Sequence, residues 1–303
     1  MPPHALSYSS TNGENIFGQP LTIFGVPVNR DIIFADHKGV AKRGVEKRQR
    51  KLIVKTTFIK FFLHHGERIH CLTTAYSPTG FVEQVLTGPT FLFFKRAILL
   101  FTDKRILHVP TRFNRTPVGT VSQIMYEDCA QLNLNGRCLA IQYKNGQQET
   151  FLYIGRPEKK KLKTFLDTIR LTPKEAGQVN SQTYLCPSCT NPLDKSSKSC
   201  AVCHLDFKSD LQAKIRSLLI PGGGYFYGRY PIMGVITGLV ESALISFLIF
   251  KWSCLSQGMP VRIGLLLLLA CTFVLAKGIA AFHACQLIRN WVPEKSDYAV
   301  RKI

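Results

Sequence analysis

Residues 232–250 read IMGVITGLVESALISFLIF, nineteen residues with one charged side chain, Glu241. After a short polar break comes a second apolar run, Ile263–Ile288, whose only basic side chains are Lys277 and His283. A hydrocarbon core of about 30 Å takes about 20 helical residues to cross. Each run can therefore span it once, with its backbone groups bonded inside its own helix. The alternative is a helical hairpin buried in a water-soluble core. The stretch LLLLLACTFVLA, residues 265–276, is apolar all round, and the expectation is a two-helix membrane hairpin over 231–291.

The other residues of this 303-residue chain have room for about two domains. The net charge of +20 suits anionic partners: lipid head groups, nucleic acid or acidic proteins. The first thirty residues show no charged segment leading into an apolar one, so no secretory signal peptide is expected. Arg216 and Arg229 precede the first run, and Arg289, Lys295, Arg301 and Lys302 follow the second. The loop between holds Lys251 and Arg262. The positive-inside rule then puts both termini in the cytosol, with the hairpin in the cell (inner) membrane and a short outer loop that includes Cys254.

Nine Lys or Arg residues lie in 38–60 against one acid, Glu46. Leu52, Thr56, Ile59, Phe62 and Leu63 follow at roughly helical spacing, which predicts a basic amphipathic helix. Lys42, Arg43, Lys47, Arg48, Arg50 and Lys51 are the candidates for contact with an anionic leaflet, where each contributes about 1 kcal/mol. The plain alternative is a solvated cationic face. Residues 1–37 show no firm pattern.

Residues 66–170 change to strand rhythm. Apolar runs at 68–76, 81–87, 91–101, 105–109, 118–126, 139–143 and 150–154 are separated by turn residues, among them Asn145-Gly146, a strong hairpin signal. Pro157 opens a helix with Leu162, Phe165, Leu166 and Ile169 as its apolar stripe and Lys159, Lys160, Lys161 and Lys163 around it. Seven short strands closed by one helix predict a small capped barrel or orthogonal sandwich. The expected fold class is thus multidomain α+β. The parts are a basic region (1–50), the barrel with flanking helices (51–170), a linker (171–184), a metal module (185–208), an interfacial segment (209–230), the hairpin and a cytosolic tail (292–303).

Gly66-Glu67 before the first strand, LLFTDKRILHVP at 99–110 and the closing helix together resemble bacterial pleckstrin-homology-like (GRAM-like) domains. That resemblance implies binding of lipids, peptides or proteins, without catalysis. Its lipid-binding versions carry basic residues in the first hairpin turn, and Ser77-Pro78-Thr79-Gly80 has none.

Two Cys-x2-Cys pairs follow, Cys186 with Cys189 and Cys200 with Cys203. Four thiolates suit a tetrahedral structural zinc at about 2.3 Å, with no open position for a substrate. The segment is too short for a core of its own, so the metal would supply its folding energy. Cys200-Ala201-Val202-Cys203-His204 also spells a haem-attachment motif, and a redox dithiol is the third possibility. Pro187, Pro192, Leu193 and Phe207 resemble the zinc ribbons of membrane-anchored bacterial proteins. Pro221-Gly222-Gly223-Gly224 has no preceding strand and no following Gly-Lys-Ser/Thr, which excludes a phosphate loop. The entry through Tyr227-Gly228 resembles TM2-like membrane hairpins, and Tyr225, Phe226, Tyr227 and Tyr230 fit an interfacial aromatic belt.

Charges at mid-bilayer cost at least about 2.5–3.5 kcal/mol, so Glu241 and Lys277 are expected to pair. The alternatives are a protonated Glu241 with Lys277 reaching an interface, or an ion path. Gly234, Gly238, Ser242 and Ser246, and Thr272, Ala276, Ala280 and Ala284, recur at steps of four, where small residues let helices approach or oligomerise. No catalytic constellation is present: Glu127 and Asp128 are adjacent, and His64, His65 and His70 lack metal-ligand spacing. The leading expectation is a membrane-anchored, non-enzymatic scaffold with an unidentified protein partner. The alternatives are membrane-tethered nucleic-acid binding, for which 184–208 offers only three lysines and two aromatics, and a small channel or transporter subunit using Glu241 and Lys277.

Overall fold

The computed structural model describes residues 20–80, 83, 85, 88, 94–169, 171, 179–194, 197–257 and 263–294. They divide into two compact units, one built on sheets and bearing the four clustered cysteines, the other running from His204 and bearing two long helices.

In the first unit β1 (Pro20–Ile23), β2 (Val26–Asn29), β3 (Ile69–Tyr76), β4 (Arg96–Thr102), β5 (Arg105–Pro110) and β6 (Val121–Met125) lie side by side in that order. β10 (Thr183–Leu185) and β11 (Pro192–Leu193) extend the edge beyond β6. All neighbours are antiparallel except β2 and β3. β7 (Cys129–Asn135), β8 (Cys138–Tyr143) and β9 (Gln148–Phe151) form a second sheet. The helical elements described in this unit are α1 (Arg30–Ile33), α2 (Arg43–Lys55), the 3-10 turns Thr57–Phe61 and Tyr126–Asp128, and α3 (Lys159–Thr168).

The reason for this layering is legible in β4. Successive strand residues point to opposite faces, and Ile98 and Leu100 enter one core while Leu99 and Phe101 enter the other. Leu52, Ile53, Phe58, Ile59 and Phe62 cover the first face. Leu139, Ile141, Tyr143, Phe151, Leu162 and Leu166 cover the second. A strand buried on both faces reads as one continuous apolar run. Among the described residues the strands therefore make two sheets with helices, joined by the bridge from Tyr76 to Leu152, and not a closed barrel.

Among the described residues Arg105 is the largest fully buried side chain. Its Nε and Nη2 donate to the two oxygens of Glu67 at 3.0 and 2.8 Å, and Nη2 also reaches Phe62 O at 2.6 Å. Nη1 donates to Gln123. Burial pushes the Glu67 carboxyl up, but the Arg105 guanidinium, the His64 N–H and Thr102 override it and hold it below the usual range. A buried charge persists only when paired and fully bonded. The Gly66-Glu67 and TDKR segments are thus two halves of one strut.

Several expectations need correction. The 81–87 strand falls mainly outside the described residues, and the two that are described, Glu83 and Val85, are helical. The 91–101 strand begins only at Arg96, with Phe94 helical. β1, β2 and β7 were not anticipated, and the 171–184 linker ends inside the sheet, where Thr183 pairs with Gln123. Asn145-Gly146 does turn between β8 and β9, with Gly146 at a φ of 83° that few other residues adopt.

The second unit holds α4 (Asp210–Leu219), α5 (Gly223–Tyr227), α6 (Pro231–Ser256) and α7 (Ile263–Ile288). Ser209 caps α4 by accepting from Gln212 N, and Pro231 opens α6, where its missing N–H costs nothing. At 26 residues each, α6 and α7 are long and apolar enough to cross a membrane. α6 continues past Phe250 through Lys251, so Cys254 is a buried helical residue and not part of a loop. Lys208 N donates to Val292 O and Glu294 N to Asp206 O, both at 3.0 Å, and Phe207 packs edge-on against Trp291.

Candidate metal centre and buried ion pair

β10 delivers Cys186 directly after Leu185. The chain then turns tightly, with Thr190 N donating to Cys186 O at 2.9 Å and Cys186 N to Asn191 O at 2.8 Å. Thr190 and His204, each following the second cysteine of its pair, sit at φ 60° and 55°. This bends both knuckles inward. Cys186 and Cys203 sulfurs are 3.5 Å apart, as are those of Cys189 and Cys200. All four lie within 4.8 Å of one another, and none is in a disulfide. Four thiolates around one tetrahedral ion at about 2.3 Å stand about 3.8 Å apart, so the cage fits a metal ion. Burial raises the Cys189 thiol, but the Asn191 side chain and N–H, with Cys200 and Cys203, outweigh it and bring it down to about 7. Burial pushes Cys186 up. A haem attached at Cys200 and Cys203 leaves the convergence of Cys186 and Cys189 unexplained.

Of the six basic candidates, Lys42 pairs with Asp36 at 2.7 Å, Arg48 with Glu158 at 3.1 Å and Arg50 with Glu46 at 2.7 Å. Arg43, Lys47 and Lys51 are exposed at steps of four on α2, with no ion pair among the described residues. The opposite face of α2 buries Val45, Gln49, Leu52 and Ile53, and the Gln49 amide exchanges hydrogen bonds with the Leu72 backbone. Lys161, expected on a wet helix face, is instead buried and donates to Ile33 O at 2.7 Å. Desolvation lowers its pKa. His108, which sequence reasoning passed over, lies 2.8 Å from the hydroxyls of both Ser77 and Ser122, with Gln182 beside it. Burial brings it down to about 3, so it stays neutral and ties strands together. His70 stacks on Phe165 and is brought down to about 4 by burial.

In the second unit Lys277 Nζ lies 2.8 Å from Glu241 Oε2, both side chains almost fully buried. Each has a further partner. Lys277 donates to Ser217 O at 3.1 Å, and Gly222 N donates to Glu241 at 3.0 Å. Gly222 stands at φ 67°, and a Cβ there would run into the Gly234 carbonyl. One on Gly238 would lie 3.2 Å from Pro221 O, and one on Gly224 would strike Ser217 and Ala284. The small residues Gly234, Gly238 and Ala284 therefore make room for the α4–α5 turn. Tyr225 Oη and His283 Nδ1 are 2.7 Å apart. Ser217, Gly222, Tyr225 and His283 were not anticipated as partners, and the glycine run at 222–224 is the signal that a close backbone approach was coming. Comparison with protein-family models, curated proteins and solved structures gives no match to the chain.

Proposed function

We propose that the chain is a membrane-anchored, non-enzymatic binding and scaffolding protein. α6 and α7 cross the inner membrane as a TM2-like hairpin with both termini in the cytosol. On that side they display the sheet unit, read as pleckstrin-homology-like, and a ribbon closed by one structural zinc. Arg43, Lys47 and Lys51 face an anionic leaflet, and a protein partner engages the sheet unit.

One observation carries the anchoring. Only 11% of the most apolar window of each long helix is buried within the chain, and Ile232, Leu239, Leu268 and Val274 all point outward. Water-soluble proteins rarely expose contiguous apolar surface of this extent, and a lipid solvent accounts for it. Transport through the hairpin is the lesser reading, because Glu241 and Lys277 are occupied by each other and by backbone groups.

Orientation is tested by single cysteines and a membrane-impermeant thiol reagent. In intact cells Gln257→Cys should be labelled and Lys51→Cys should react only after permeabilisation. The reverse pattern would put the sheet unit outside.

A further inference from the structure

The geometry points to α4 and the turn after it as a third membrane element, a half-span that enters the bilayer beside the hairpin and turns back at Pro221–Gly222, its outward face contacting lipid acyl chains. This rests on the reading that α6 and α7 cross the membrane, and it replaces the interfacial position expected for 209–230.

Depth is the first argument. Glu241 is the central residue of the apolar run 232–250, nine residues from either end, or about 13.5 Å at 1.5 Å per residue. That places it near the middle of a hydrocarbon layer of about 30 Å. Gly222 N bonds to the Glu241 carboxylate, and the Gly222 backbone lies against Gly234 and Gly238 on the same helix. The turn therefore lies well below the head groups.

The residues match that depth. α4 buries only Ala213 and Ser217 against its neighbours. Leu211, Ile215, Leu218, Leu219 and Ile220 are between 46% and 77% exposed, an apolar strip along α4 flanked by exposed Lys214 and Arg216. From Ser217 to Gly228 no side chain is charged. The last charge before that stretch, Arg216, lies over the Tyr227 ring at 4.6 Å, on the side of the unit where α4 begins.

Broken backbone is tolerated in hydrocarbon only when protein groups satisfy its polar atoms. Here they do. Lys277 takes Ser217 O in the last turn of α4, where a cation also meets the negative helix end. Glu241 takes Gly222 N, and Gly223 N returns to Ile220 O at 2.9 Å. The charged pair thus neutralises itself while closing the open end of the half-span.

The test uses the full chain with Trp252 and Trp291 replaced by phenylalanine, reconstituted in phosphatidylcholine–phosphatidylglycerol vesicles brominated either near the head group or deep in the acyl chain. Leu219→Trp and Val274→Trp should both be quenched several-fold more by deep than by shallow bromine, and neither should respond to aqueous iodide. Iodide quenching of Leu219→Trp, with Val274→Trp still deep, would overturn the half-span and leave the hairpin standing. Shielding of Leu219→Trp from both quenchers would show that protein, such as a second copy, covers this face, and would overturn the lipid assignment. Iodide quenching of Val274→Trp would overturn the membrane reading and the half-span with it.

Discussion

Alanine at Glu241 or at Lys277 alone should destabilise the helical unit by about 3–5 kcal/mol, because each leaves the other charge buried without its counter-ion. The double substitution should cost less than the sum of the two, since directly bonded partners couple. It should not be neutral, because Ser217 O and Gly222 N lose their partners too. Glu241→Gln keeps an oxygen for both donors and should fall between wild type and Glu241→Ala. Reversible unfolding in mixed micelles measures all four. Simple additivity would mean that the two side chains act independently.

Removing the metal should have the larger local effect. The purified chain should carry one zinc and show no Soret absorption. Four-thiolate sites hold zinc with about 10–16 kcal/mol of apparent free energy, which is folding free energy for a module this small. Chelation, or Cys189→Ser, should release the ion and raise amide exchange throughout 185–203. Leu185 is buried in the same core as Val121, and β10 pairs with β6, so the loosening should spread to β6 and stop before β4. A metal-free chain with unchanged exchange at these amides would contradict a metal-closed ribbon.

The parts of the fold that could be read from sequence are those whose signal is local. The apolar lengths of α6 and α7, the paired cysteine spacing and the Asn145-Gly146 turn each need only neighbouring residues. β4 is legible as a strand, but its unbroken apolar run hides that it faces two cores, so the sequence reads equally as a capped barrel or an orthogonal sandwich. β7 does alternate, with half-buried Leu132 and Leu134 between exposed Gln131, Asn133 and Asn135, but its two asparagines and the Gly136 that follows read as turn residues. β10 is three residues long and gains its identity from β6, sixty positions earlier. The same holds in the helical unit. Two lone charges in apolar runs mark Glu241 and Lys277, but nothing local says that Ser217 and Gly222 complete their coordination. Lys161 looks solvated on its lysine-rich helix, and only the fold brings Ile33 O within reach of its amine.

The central claim is that α6 and α7 are solvated by lipid, and alkaline carbonate extraction of isolated membranes tests it most directly. High pH strips peripheral proteins, including those held by basic surfaces such as α2, because their electrostatic contacts are lost, whereas apolar helices stay in the bilayer. The full chain should remain in the pellet after carbonate and move to the supernatant only with detergent. Release of the folded chain by carbonate alone would contradict the account.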